Sequence, residues 1–199
     1  MRVVFDEHVP SALVRVLQSF SNERQFRKLT GGYTIERARD YAPKVDDPDY
    51  LKGSDVPWVR RYAAAGGQVI ISGDTNMMSE PHERLALLEE KMIVCFFGSQ
   101  WSGWKFYKKC ALVINWWPTI VKTMTTADQG TFWRVPASWQ EDGNLDPLPT
   151  EDKKLLRMVR QRERQAKVAA ERKSRREAAS VEGQGKLDLA LRRGAHAEK

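Results

Sequence analysis

Three aspartates stand where buried segments end, and carboxylates gathered at such points can do chemistry. In "RVVFDEHVP", Asp6 and Glu7 follow Val3, Val4 and Phe5. In "QVIISGDTNMM", Asp74 follows a run able to form a buried strand, with Ser72, Thr75 and Asn76 around it. In "SDVPWVRRYAAAGG", Asp55 opens a helix. Singly, Asp55 reads as an N-cap or first-turn acid favoured by the helix dipole, and Asp74 as an Asx-turn. Together the three fall at one edge of one sheet. Like charges packed close are costly unless a cation lies between them, and oxygen donors without His or Cys suit Mg2+ or Mn2+. Such an ion lowers the pKa of a bound water and offsets charge on a phosphate, the requirements of phosphodiester hydrolysis.

Around these acids, Ser72 and Thr75 are expected to orient Asp74 or a water, and Glu7 reads either as an acid acting from just outside the first ring of contacts or as a solvated loop acid. His8 and His82 read as surface side chains near the site. Trp101 and Trp104 flank Gly103 at the same edge, and read either as stacking surfaces for bases or as a core lid. Trp116, Trp117, Trp133 and Trp139 read as core and tail packing.

The elements that must position the acids are set by hydrophobic spacing. The non-alternating "RVVF", "QVIIS" and "MIVCFFG" are strands buried on both faces. Pro10 opens a helix with Leu13, Val16, Leu17 and Phe20 on one side. A second helix starts at Ser54 or Asp55, has Pro57 in its first turn and stops at Gly66-Gly67. A third is capped by Ser79 with Pro81 in its first turn. A fourth carries Phe106, Cys110, Val113, Trp117, Ile120 and Met124, with Pro118 expected to kink or divide it. "GTFWRVPASW" reads as a last short strand. The stretch between Gln25 and Ala42 has no clear order. Strands alternating with helices imply an α/β fold of three layers around a parallel sheet. Ligand sites of such sheets lie beyond the carboxyl ends of the strands, near the switch in strand order.

Charge divides the chain unevenly. Residues 151–199 hold 15 basic and 8 acidic side chains, the whole of the net charge of +7. A neutral body with a basic tail raises the question of nucleic acid. Residues 151–180 are rich in helix formers and, if helical, would reach about 45 Å at 1.5 Å per residue. The expected division is therefore a domain over 1–140 and a basic C-terminal helix with a disordered tail over 141–199. Two cysteines, Cys95 and Cys110, read as core thiols, and the three His complete no zinc spacing. No apolar run is long enough for a membrane span. The N-terminus lacks a signal-peptide pattern, so the expectation is a cytoplasmic protein.

The stretches "VVFDEHVP", "SDVPWVRRYAAAGGQVIISGDTNM" and "FYKKCALVINWWPTIV" resemble the PIN and PIN-like nucleases, above all the VapC-type toxin branch, over roughly residues 1–137. The resemblance implies an α/β/α sheet and a cluster of three or four acids that binds Mg2+ or Mn2+. Asp6, Asp55 and Asp74 match three of those acids. Position 76 often holds the fourth, and Asn76 stands there, able to ligate through its carbonyl but without charge. The resemblance thus implies a metal-dependent endoribonuclease acting on RNA, as the toxin of a toxin–antitoxin pair. The alternative, favoured by Asn76, is a weak or inactive PIN-like module that binds RNA or a protein. Lys153, Lys154, Arg157, Arg160 and Arg164 of the tail are the expected RNA contacts. An antitoxin or a second copy of the chain is the expected protein partner.

Overall fold

The computed structural model describes residues 1–25, 27, 32–74, 76–139 and 143–150, and beyond these 157, 161, 164, 165 and 168. Its elements run β1 (Arg2–Phe5), α1 (Ser11–Asn22), β2 (Thr34–Arg37), α2 (Val56–Ala64), β3 (Val69–Ser72), α3 (Asn76–Ser79), α4 (Pro81–Glu89), β4 (Ile93–Phe97), α5 (Phe106–Thr126), β5 (Phe132–Val135) and β6 (Asp146–Leu148). The described strands form one sheet of order β2-β1-β3-β4-β5-β6. It is parallel from β2 to β5, and β6 joins antiparallel to β5.

Alternation of side chains across the strands produces the layers, because successive residues point to opposite faces. Val3, Phe5, Val69, Ile71, Cys95 and Phe97 share one core with Leu13, Val14 and Leu17 of α1 and with Val113, Trp116, Trp117 and Ile120 of α5. Val4, Ile70, Val94 and Phe96 share the other with Trp58, Val59 and Tyr62 of α2 and Leu87 of α4. The fold is the expected three-layer α/β/α arrangement.

Four details depart from the sequence reading. β2 lies in the stretch without clear order: "TIER" offers only Ile35 as a buried residue, and pairing with β1 from Arg2↔Thr34 to Phe5↔Arg37 makes it a strand. α5 runs through Pro118 undivided. Phe106, expected in the spacing of that helix's buried side, is 43% exposed. Ser79 ends α3, and Glu80 takes the cap position of α4 with Pro81 following it.

The sheet also extends past the boundary expected at residue 140. Leu145 is buried in the α1–α5 core, and Asp146–Leu148 completes the sheet edge, where Pro147 is tolerated because an edge strand leaves N–H positions unused. Compactness divides the chain into Met1–Leu155 and Leu156–Lys199. In the second unit, residues 157, 161, 164, 165 and 168 are helical and exposed.

A chain ended at Leu155 therefore keeps β6 and Leu145, and one ended at residue 139 loses both. Burial of one Leu side chain is worth about 1.5–3 kcal/mol, so the shorter form should melt at least about 3 °C lower. Calorimetry of the two forms checks this.

Candidate active site

The order β2-β1-β3 means the chain leaves β1 in one direction and returns to its other side for β3. The carboxyl ends of β1 and β3 are thus neighbours at the switch in strand order, where open α/β sheets bind ligands. Asp6 follows β1 directly, and its N–H still donates to Ile71 O at 3.1 Å, continuing the ladder to β3. Its carboxylate then turns inward. Asp6 is only 6% exposed, and its oxygens accept several donors. The fully buried Ser72 hydroxyl donates to Oδ2. The Asp74 N–H lies 3.1 Å from the same Oδ2 and 3.0 Å from Ser72 Oγ. The His8 N–H donates to Oδ1 at 3.0 Å.

Burial pushes the Asp6 carboxyl upward, and the donors at Ser72, Gly73 and Asp74, with the nearby His8, pull it back. The sequence reading has Ser72 orient Asp74 or a water. The structure has it holding Asp6 and Asp74 together, with one hydroxyl serving both.

Gly73 is dictated by crowding. A methyl group there would meet Trp101 Nε1 at 2.6 Å and His8 O at 3.0 Å. Trp101 is itself 2% exposed, stacks on Phe97 with centroids 4.0 Å apart, and donates Nε1–H to His8 O at 3.3 Å. It is the core lid of the two readings, with no face open to a base. Trp139, read as packing, is instead 51% exposed.

Asp74 Oδ1 accepts the Asn76 N–H at 2.8 Å, an Asx-turn that starts α3. One oxygen therefore does the local work read from the sequence, while the charge of Asp74 still acts on Asp55 and Glu83. Asn76 is exposed, and Thr75 lies outside the described residues.

Asp55 sits at the cap position of α2 but makes no side-chain cap hydrogen bond. Its Oδ1 accepts Trp58 Nε1–H at 2.8 Å. Ser54 Oγ accepts the Val56 N–H at 3.3 Å in its place. Asp55 is raised above the usual carboxylate range by burial first, with the charges of Asp74 and Glu7 adding to it and Trp58 and His8 opposing. Glu7 is exposed and acts on the site through that charge.

Glu83 is a site residue that the sequence reading misses. It is 7% exposed, its Oε1 accepts the Asp55 N–H at 3.1 Å, and His82 Nε2 lies 3.7 Å away. Burial raises its carboxyl, with the charges of Asp55 and Asp74 contributing. "EPHERLALLEE" reads as an ordinary helix start in which Glu83 favours the dipole. The one available signal is an acid in the first turn of a helix that starts a few residues after Asp74.

Asp6, Glu7 and Asp55 line one cavity of about 300 Å³ with Trp58, Tyr50 and Leu51. The loop that closes it is gripped by Arg61 of α2, whose guanidinium donates to Asp47 and Asp49 at 2.8 Å each. By donor type, Asp6, Asp55, Asp74 and Glu83 suit a hard divalent cation: they offer only oxygens, and the charge of Asp74 on Asp55, and of both on Glu83, is what a cation would relieve. Asp6 is tied to Asp74 through the Asp74 N–H. Among the described residues, no three His, Cys, Asp or Glu side chains are already gathered into a group that could hold a metal ion.

Residues 1–99 match the family described as a PIN like domain. The match supports a PIN-like domain. It contains β1 to β4 and all four acids, and it points to nuclease-type chemistry. No curated protein and no solved structure matches the chain. Among the described residues no helix is long and apolar enough to cross a membrane. Of the expected tail contacts, Arg157 and Arg164 are exposed, and Lys153, Lys154 and Arg160 lie outside the described residues.

The sign of the pH response is set by the raised carboxyls of Asp55 and Glu83. The folded chain holds their protons more tightly than the unfolded chain, so below about pH 4 their contribution to stability is fully present. It is lost as pH rises through their folded values. Asp55→Asn should therefore raise Tm in EDTA at neutral pH by about 2–4 °C, the effect of about 1 kcal/mol in a domain of this size. The gain should shrink toward pH 4. Melting curves across pH check both.

Proposed function

We propose that this chain is a metal-dependent endoribonuclease of the cytoplasm, acting as the toxin of a toxin–antitoxin pair. The observation that supports it is the acid group at the β1–β3 switch. Asp6 is buried and hydrogen-bonded to the loop of Asp74, Asp55 is pushed up by burial and by the charges of Asp74 and Glu7, and Glu83 by burial and by the charges of Asp55 and Asp74. The match to a PIN like domain supports nuclease chemistry there.

In this reading Asp6, Asp55 and Asp74 would hold Mg2+ or Mn2+, with the Asn76 carbonyl as a neutral fourth donor. A bound ion of this kind supplies a water of lowered pKa and offsets charge developing on the phosphate. The chain's own residues do the positioning. Ser72 and the Asp74 N–H fix the Asp6 carboxylate, and Glu83 fixes the start of α2 through the Asp55 N–H. Arg61 holds the loop over Asp55, so the acids are set before substrate arrives. The exposed Arg157 and Arg164, with Lys153, Lys154 and Arg160, would add phosphate contacts that raise affinity without selecting sequence. An antitoxin or a second copy of the chain is the proposed protein partner.

A second reading, a weak or inactive module that binds RNA or a protein, is favoured by Asn76. It is exposed and brings no charge to a position where the family often has an acid.

Cleavage of total RNA with Mg2+ or Mn2+, compared with EDTA, separates the two. The ribonuclease reading expects cleavage only with the divalent ion. Asp74→Asn should abolish it, a loss of at least about 100-fold, while the fold persists and Tm is unchanged or higher. Full activity in that variant rules Asp74 out as a ligand. Removing the chain beyond Leu155 should leave cleavage in place and flatten the salt dependence of RNA affinity by about 0.7 in log–log slope for each phosphate that the tail neutralises.

A further inference from the structure

The start of α5 combines features that a solvated helix end does not need. Tyr107 is 83% exposed and Phe106 43% exposed, with their rings edge to face at 5.3 Å. Lys105, Lys108 and Lys109 stand beside them. Lys108 Nζ lies 4.0 Å from the centre of the Trp104 ring and Lys109 Nζ 5.1 Å from that of Trp101. No acid occupies the first turn of the helix, and among the described residues none of the three lysines forms an ion pair. Positive charge in a first turn also opposes the helix dipole. A single exposed tyrosine is ordinary. Two exposed rings among three cations without a carboxylate partner form a surface complementary to a strand of aromatic bases and phosphates.

Its location ties this patch to the acid site. Trp101, under Lys109, donates to His8 O and abuts Gly73, and the His8 N–H donates to Asp6 Oδ1 at 3.0 Å. One indole therefore separates the Lys109 ammonium from the loop that carries Asp6.

We infer that the start of α5 is a binding platform for single-stranded RNA. Tyr107, backed by Phe106, offers a ring face to an unpaired base, and Lys105, Lys108 and Lys109 contact the flanking phosphates. Stacking on an aromatic face requires a base free of its duplex partner, so the class is single-stranded. That the strand is RNA rests on the ribonuclease reading, and the platform itself does not.

The test uses the full chain in EDTA, where no divalent ion supports cleavage, with a fluorescent single-stranded oligoribonucleotide and its duplex form read by anisotropy. The unaltered chain should bind the single strand more tightly than the duplex. Tyr107→Ala should weaken single-strand binding at least about 5-fold, the lower end of one base stack, and Tyr107→Phe should restore it. At 83% exposure this substitution leaves the core intact, which an unchanged Tm verifies. Lys105→Ala, Lys108→Ala and Lys109→Ala combined should reduce the log–log salt slope by about 2.

Absence of binding by the unaltered chain, unchanged binding by Tyr107→Ala, or a duplex held as tightly as the single strand overturns the platform. Cleavage with Mg2+ or Mn2+, measured separately, keeps the two ideas apart. RNA cleaved with no effect of Tyr107 sinks the platform alone. A Tyr107-dependent complex without cleavage sinks the ribonuclease reading alone.

Discussion

The burial of one carboxylate sets the rest of the site. An ionised group taken out of water is costly unless its oxygens are matched by donors, and Asp6 is matched almost entirely by the loop after β3. Ser72, the Asp74 N–H and the Gly73 N–H all turn toward it. The β3 loop is thereby fixed relative to β1, and with it the position of Asp74 and the start of α3. Gly73 has no side chain because His8 O and Trp101 occupy the space one would need.

Several arginines are paired locally, and two of the switch-point acids, Asp55 and Asp74, are not. Arg2 donates to Glu36 at 2.9 Å and to the Tyr41 hydroxyl at 2.6 Å, and Arg61 is committed to Asp47 and Asp49. Arg60 leans toward Glu89 at 3.3 Å. Among the described residues, neither Asp55 nor Asp74 has an ion-pair partner, and the His8 imidazole Nδ1 lies 3.8 Å from Asp6 Oδ2. Arginines thus anchor loops and helix ends and leave the carboxylates at the strand ends uncompensated.

The central strands are legible in the sequence because a strand buried on both faces must be continuously apolar, and "RVVF", "QVIIS" and "MIVCFFG" are. The edges are not legible, for the complementary reason. β2 and β6 each have one neighbour, so "TIER" and "DPL" need little apolar content, and partners remote in the chain decide their conformation. The three aspartates can be found by their positions after strands and before a helix. Glu83 cannot: its contact with the Asp55 N–H joins two helix starts 28 residues apart, and nothing local marks that pairing. The indole rings show the same limit. Composition reveals seven Trp, but only packing tells that Trp101 is a lid and Trp139 an exposed ring.

The placement of Trp101 has a consequence for how the edge of the sheet can meet a nucleic acid. With its face against Phe97 and its N–H given to His8 O, Trp101 supports the Asp6 loop from beneath and has no surface to offer a base. In the proposed platform the ring face comes instead from the exposed Phe106 and Tyr107. In that platform, the buried indole and the exposed phenol divide two tasks that a single ring could not perform. Support of the buried carboxylate requires a dry, immobile contact, whereas stacking on a base requires a ring face that water can leave. The lysines share the same division. Lys109 lies over the Trp101 ring and Lys108 over Trp104, so their charge rests on aromatic faces without a carboxylate that would cancel it.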